Sequence, residues 1–141
     1  MTLIEEYNQR YKFFSEIVGV AMLVHRKYHP GLVESAYEAA LKYLLEQKGY
    51  KVERQVNLPI FWEDVQLDQT YRMDLVVNDK IILELKAVNF VDKEHRHQLW
   101  NYMHLTHMQY GMLINFGSAS LFSEWFERNP QTGEITKIKL M

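Results

Sequence analysis

The sequence predicts a mixed β-sheet with helices packed against it, in the order α-α-β-β-β-α-β-β-β. Three observations predict this. Apolar residues recur at helical spacing up to about residue 48. From 51 the chain changes to runs rich in β-branched and aromatic residues. Helical spacing then returns once, between about 91 and 107, before further short β runs, so a helix crosses between strands of one α/β sheet. The 141 residues suit a single domain spanning 1–141 and are enough to bury a core without covalent staples.

In "EIVGVAMLVHRKY", near 16–28, Ile17, Val20, Ala21 and Val24 fall three and four apart, the stripe of an amphipathic helix. "HPG" at 29–31 breaks it. A second helix over 32–48 shows Ala36, Ala39, Ala40, Tyr43 and Leu44, and Gly49 stands where a helix commonly ends in a left-handed residue. "KVERQVNLPIFW" reads as the first strand and "EDVQLDQ" as a polar connection. "TYRMDLVV" is the second strand, "ND" a turn and "KIILELKAV" the third. Leu99, Tyr102, Met103 and Leu105 mark the crossing helix, "YGMLINF" at 110–116 a buried strand, and "ASLFSEWFE" with "GEITKIKL" a terminal hairpin around "RNPQTG". In that hairpin Leu121, Phe122, Trp125 and Phe126 form either a homodimer interface or the last part of the core.

Composition narrows the function. Hydrophobic content is 48 % and charged content 24 %, ordinary for a soluble protein. Cysteine is absent, which excludes disulfides and thiolate metal sites. The net charge of −2 argues against a histone-like coat on nucleic acid but allows an enzyme with a local basic groove. The N-terminus has no signal-peptide run, and no stretch approaches the ~20 apolar residues of a membrane span; we expect a soluble, cytoplasmic chain with no membrane partner.

The chemistry concentrates in "RMDLVVNDKIILELKAV". Strand alternation puts Ile82, Glu84 and Lys86 on one face and the apolar Ile81, Leu83, Leu85 and Ala87 on the other. Antiparallel pairing about the turn near Asn78 and Asp79 brings Asp74 close to Glu84. Two such carboxylates repel, and partial burial raises their pKa values. A divalent cation resolves the conflict, since Mg²⁺ takes one or two carboxylates and keeps several waters. Lys86 reaches the same spot, where a lysine can orient a metal-bound water and stabilise charge developing on a phosphate. The pattern equally fits a cross-strand ion-pair network on a solvated sheet face.

Further motifs favour the first reading. "PGLVESAYE" spaces Gly31, Glu34 and Tyr37 as G-x-x-E-x-x-Y, and "QLWNY" spaces Gln98 and Tyr102 as Q-x-x-x-Y. With "RMDLVV", "ILELKAV" and "LINFG" in order between about Ile17 and Gly117, the chain closely resembles the GxxExxY proteins, a bacterial and archaeal family of the PD-(D/E)XK nuclease superfamily. The resemblance implies a restriction-endonuclease-like core, α-β-β-β-α-β, here with an extra N-terminal helix and a C-terminal β-hairpin. It implies Asp74 and Glu84 as ligands of Mg²⁺ or Mn²⁺, Lys86 as the catalytic lysine, Glu34 as an additional acid, and Gln98 with Tyr102 as the helix motif of RecB-like nucleases, the glutamine near the metal. Met73 stands where the superfamily has a proline before its aspartate. The expected activity is hydrolysis of phosphodiester bonds in DNA or RNA. The alternative is an inactive member that binds nucleic acid or a protein partner.

Each element also has a plainer role. Gly31 serves the turn after Pro30, Glu34 suits the first turn of a helix, and Tyr37 packs with its hydroxyl bonded. Arg72 and Arg96 are candidate nucleic-acid contacts, with Lys42, Lys51, Arg54 and Lys93 as further candidates. His104 and His107 have zinc-like i, i+3 spacing, but no third ligand is placed to complete a site.

Overall fold

A computed structural model of the chain describes residues 1–140. Among the described residues, three helices and six strands follow in the order α1 (Leu3–Tyr28), α2 (Glu34–Gln47), β1 (Val52–Trp62), β2 (Val65–Val77), β3 (Ile81–Lys86), α3 (Lys93–Thr106), β4 (Tyr110–Asn115), β5 (Phe122–Arg128) and β6 (Ile135–Lys137). The expected order is the observed one, and the mixed α/β architecture is consistent with a restriction-endonuclease-like fold.

The strands form one sheet in sequence order, with β3 and β4 parallel and the other neighbours antiparallel. A parallel pair needs a crossover, which α3 provides. Helices α1 and α2 cover one face. There Phe14, Ile17, Tyr37, Leu41 and Leu45 meet Leu75, Leu83, Leu85, Met112, Ile114 and Trp125. Helix α3 covers the other, where Leu99, Tyr102 and Met103 meet Met73, Val76, Ile82, Leu113 and Phe126. Gly111 lets α3 press onto β4, because a Cβ there would lie 2.6 Å from the Met103 sulfur. Trp125 and Phe126 are both buried within the chain, one in each cluster, so this part of the terminal hairpin completes the core.

Two boundaries differ from expectation. Helix α1 starts at Leu3, well before residue 16. Thr2 and Glu5 form a capping box, with the Glu5 N–H donating to Thr2 Oγ1 at 3.1 Å and the Thr2 N–H to Glu5 Oε2 at 2.8 Å. Tyr11 and Phe14 then extend the buried stripe toward the N-terminus. The polar stretch after Trp62 is mostly strand rather than connection. Glu63 and Asp64 alone turn the chain, Glu63 with φ 54°, and β2 begins at Val65. Val65, Leu67 and Tyr71 alternate with polar residues there, but the segment lies on an exposed two-stranded arm that projects past the core. The next turn falls where expected, with Asn78 and Asp79 both left-handed at φ 53° and 52°; Lys80 joins them in the loop, its N–H donating to the Val77 carbonyl at 3.0 Å, and Val77 pairs with Ile81.

Candidate active site

Both faces of β3 are buried, so the charged residues of this hairpin do not lie on a solvated sheet face: Glu84 is only 2 % exposed. The β2–β3 ladder pairs Val77 with Ile81, Val76 with Ile82 and Leu75 with Leu83, then stops. Continued in this register, Asp74 would face Glu84. Their side chains replace the missing backbone pairing instead. The Asp74 N–H donates to Glu84 Oε1 at 3.2 Å, and the Leu85 N–H donates to Asp74 Oδ2 at 2.8 Å.

The far side of β2 is irregular at the same residue. Arg54 pairs with Leu75 and Val56 with Met73, but Gln55 and Asp74 between them leave the ladder, and Gln55 has φ 53°. Alternation slips there. Met73 and Val76, three residues apart, share the α3 cluster, whereas Leu75 and Val77 join the α1–α2 cluster. The slip opens the sheet locally and leaves Asp74 partly buried beside Glu84.

Electrostatics fit an unmet demand for positive charge. Burial, then the neighbouring Asp74 charge, pushes Glu84 well above the usual glutamate range; the Asp74 N–H and Lys86 pull it back only in part. Asp74 is also raised, first by burial and further by Glu38 and Glu34, against the Leu85 N–H and Lys86. Glu34, exposed at the start of α2, therefore acts on both acids. Lys86 donates from Nζ to Gln98 Oε1 at 3.0 Å, and Gln98 Nε2 donates to the Tyr102 hydroxyl at 3.1 Å. Burial and the Glu84 charge raise the Tyr102 phenol. Among the described residues no three of His, Cys, Asp and Glu form a ready-made cage for a metal. Two adjacent carboxylates without a third ligand suit a hard cation that keeps its waters, as Mg²⁺ does.

The family model for the PD-(D/E)XK nuclease superfamily matches residues 11–128, most of the chain. The chain belongs to the PD-(D/E)XK nuclease superfamily. It matches no curated protein and no solved structure. Superfamily membership supports a nuclease-type function on nucleic acid, and PD-(D/E)XK nucleases generally use divalent metals. The narrower GxxExxY family stays a resemblance. No helix among the described residues is long and apolar enough to cross a membrane.

In this PD-(D/E)XK domain the remaining candidates occupy distinct places. Asp74, Glu84, Lys86, Gln98 and Tyr102 form one connected group, with Glu34 facing it electrostatically. Tyr37 lies away from the acids, in the core. Its ring stacks on Phe116 at 4.6 Å, and its hydroxyl donates to the His29 carbonyl while accepting from the Leu32 N–H, closing the loop between α1 and α2. Arg96 is engaged by the buried Glu124, which also takes Lys137 at 2.7 Å. Arg72 is exposed on the arm. Arg54, a further basic candidate, is spent on Glu38, its Nε donating to Glu38 Oε1 at 2.6 Å.

Two groups were missed in the sequence. Glu38, 2 % exposed, takes Arg54 and both its oxygens accept from Gln55 Nε2 at 2.9 Å, tying α2 to the distorted residue opposite Asp74. Its signal was an acid in line with Leu41 and Leu45 on the apolar stripe of α2. Asn115 is the other. Its Oδ1 accepts from the Val88 and Gly117 N–H groups, and its Nδ2 donates to the Val88 carbonyl at 2.9 Å. A Cβ on Gly117 would run into the Val88 backbone. The "LINFG" motif thus locks the exit of β3 just after Lys86, and an asparagine within an apolar strand was the available hint.

Proposed function

We propose that this protein is a metal-dependent nuclease that hydrolyses phosphodiester bonds, with Asp74 and Glu84 holding Mg²⁺ or Mn²⁺ and Lys86 as the catalytic lysine that positions the attacking water. The observation that carries the reading is the adjacent pair of carboxyl groups, Glu84 buried and Asp74 partly buried, both raised, with Lys86 near enough to oppose the rise and, among the described residues, no cationic side chain ion-paired to either. A divalent ion bound there would polarise the scissile phosphate and make a bound water more acidic. The chain's own residues do the rest. Lys86, held in place by Gln98, keeps an ammonium beside the acids, where it orients the attacking water and meets charge building on the phosphate oxygens. Glu34, solvent-facing at the start of α2, accepts from waters of the outer shell. Tyr102 fixes the Gln98 amide, so that the Gln98 carbonyl oxygen points at the lysine. Of the three arginine candidates Arg72, exposed on the arm, is the one left to meet a phosphate, because Arg54 and Arg96 already serve acids of the fold.

The test is a panel of single-stranded, duplex and branched DNA and of RNA, with Mg²⁺, Mn²⁺ or EDTA. Cleavage in metal alone is expected. Lys86→Ala should slow it about 10²- to 10⁴-fold with metal binding retained. Gln98→Ala should cost about 10- to 100-fold, as a residue that orients a reacting group. Cleavage that persists in Asp74→Ala and Lys86→Ala would sink the assignment. Binding in EDTA with no cleavage of any substrate would instead favour an inactive binding module.

A further inference from the structure

Between α3 and the β1–β2 arm runs a groove of about 640 Å³, most of whose lining has no part in the proposed hydrolysis. It adjoins the acids, because Gln98 and Tyr102 line it, Gln98 bonds Lys86, and the Glu84 and Asp74 charges act on Tyr102. Its arm wall carries Ile60 and Tyr71, and its helix wall includes His97, Asn101 and His104. These last three are spaced i, i+4, i+7, so they form one stripe along α3, about 10 Å long at 1.5 Å per residue. Tyr71 is 43 % exposed and meets the buried Tyr102 ring at 6.0 Å, leaving part of its own ring open to the groove.

The lining decides what fits. Among the described residues no lysine or arginine lines the groove, and Glu94 does. The chain carries a net charge of −2. Phosphates of duplex and single strand alike are gripped through cations, and this groove offers no lysine or arginine, so whatever binds it is held by its bases. What it offers is planar side chains and an amide, which engage the faces and edges of bases. In a duplex those faces are stacked and those edges paired. The stripe spans about three bases at ~3.4 Å each.

Building on the nuclease reading, we infer that this groove binds an unpaired nucleic-acid segment of about three nucleotides by its bases. The substrate of the adjoining acids is therefore single-stranded, or has a single-stranded end. Tyr71 stacks on a base, Asn101 bonds a base edge, and the histidine rings complete the wall.

Binding of labelled single-stranded and duplex oligonucleotides of one sequence, followed by anisotropy in EDTA across a salt series, tests this apart from cleavage. We expect the single strand to bind about tenfold or more tighter, with a shallow salt dependence. Tyr71→Ala should lose about tenfold and Tyr71→Trp should keep the affinity. Asn101→Ala with His97→Ala, on the exposed opposite wall, should lose affinity in the same way, which guards against a Tyr71 variant that fails to fold. Equal or tighter duplex binding, no binding of either oligonucleotide, or indifference to both walls overturns the inference. Cleavage is read separately in Mn²⁺. Duplex cleavage untouched by Tyr71→Ala would remove the groove and leave the nuclease; single-strand binding that needs Tyr71, without cleavage, would remove the nuclease and leave the groove.

Discussion

Glu84 places a carboxyl group where a sheet normally holds a hydrocarbon, and the cost of ionising it depends on what stands beside it. With burial and Asp74 both opposing ionisation, the folded protein keeps the proton longer than the unfolded chain does. A raised folded pKa means that the native state binds more protons, so its contribution to stability is full below the ordinary value of 4.5 and is lost as pH rises through the elevated one. Asp74 is raised too and acts in the same direction. Thermal melts in EDTA should therefore show this part of the stability falling as pH rises from the ordinary glutamate value through the elevated folded one. Glu84→Gln, which cannot ionise, should flatten that fall. Saturating Mg²⁺ or Mn²⁺ should flatten it as well, because a cation stabilises the ionised pair. A metal-free protein whose fall is as steep in Glu84→Gln as in wild type would remove Glu84 as its source. The three charged positions were readable because D-x(9)-E-x-K about a short turn leaves antiparallel pairing little freedom. The burial of Glu84 was not readable, since it depends on α3 lying over that face.

Strand β1 shows what periodicity conceals. Its run of apolar and polar residues marked a strand, and the order of elements followed from such changes of period. Nothing local marked Gln55 as left-handed, because glutamine has no special tolerance for φ 53°, unlike glycine or asparagine. The conformation is held from outside, by Glu38 reaching over from α2 with both oxygens on the Gln55 amide. That long-range tie fixes the residue opposite Asp74, at the point where the alternation of β2 shifts. Two substitutions separate the backbone from the tie. Gln55→Gly loses the amide but accepts the conformation, so it should cost little stability and weaken Mn²⁺ binding only modestly. Gln55→Val is stiff and resists positive φ; it should cost about 1–3 kcal/mol and weaken Mn²⁺ binding far more. Denaturant unfolding and titration calorimetry measure the two effects. Wild-type Mn²⁺ affinity in Gln55→Val would mean that the distorted residue does not shape the site.

Across the whole molecule the acids sit at a boundary between rigid and exposed parts. The parallel β3–β4 pair runs through the middle of the sheet, covered on both faces, and its far end is pinned by Asn115 and by the Phe116 N–H donating to the Lys86 carbonyl at 2.8 Å. Beyond Asp74 the β1–β2 arm has only itself to pair with, and Phe61, Trp62 and Val65 near its tip are more than half exposed. Stability should divide accordingly. Amide hydrogen exchange should be slowest in β3 and β4, approaching the global unfolding free energy, and much faster in the arm from about 57 to 70, which opens without disturbing the core. The Asp74 and Leu85 amides lie at the junction and are held by the two carboxylates themselves. Added Mn²⁺ should therefore change protection most at these two amides and at their neighbours in β2 and β3, and little at the arm tip. A single uniform protection factor from arm to core would show that the arm is cooperative with the sheet, and the acids would then lie inside one rigid body rather than at its edge.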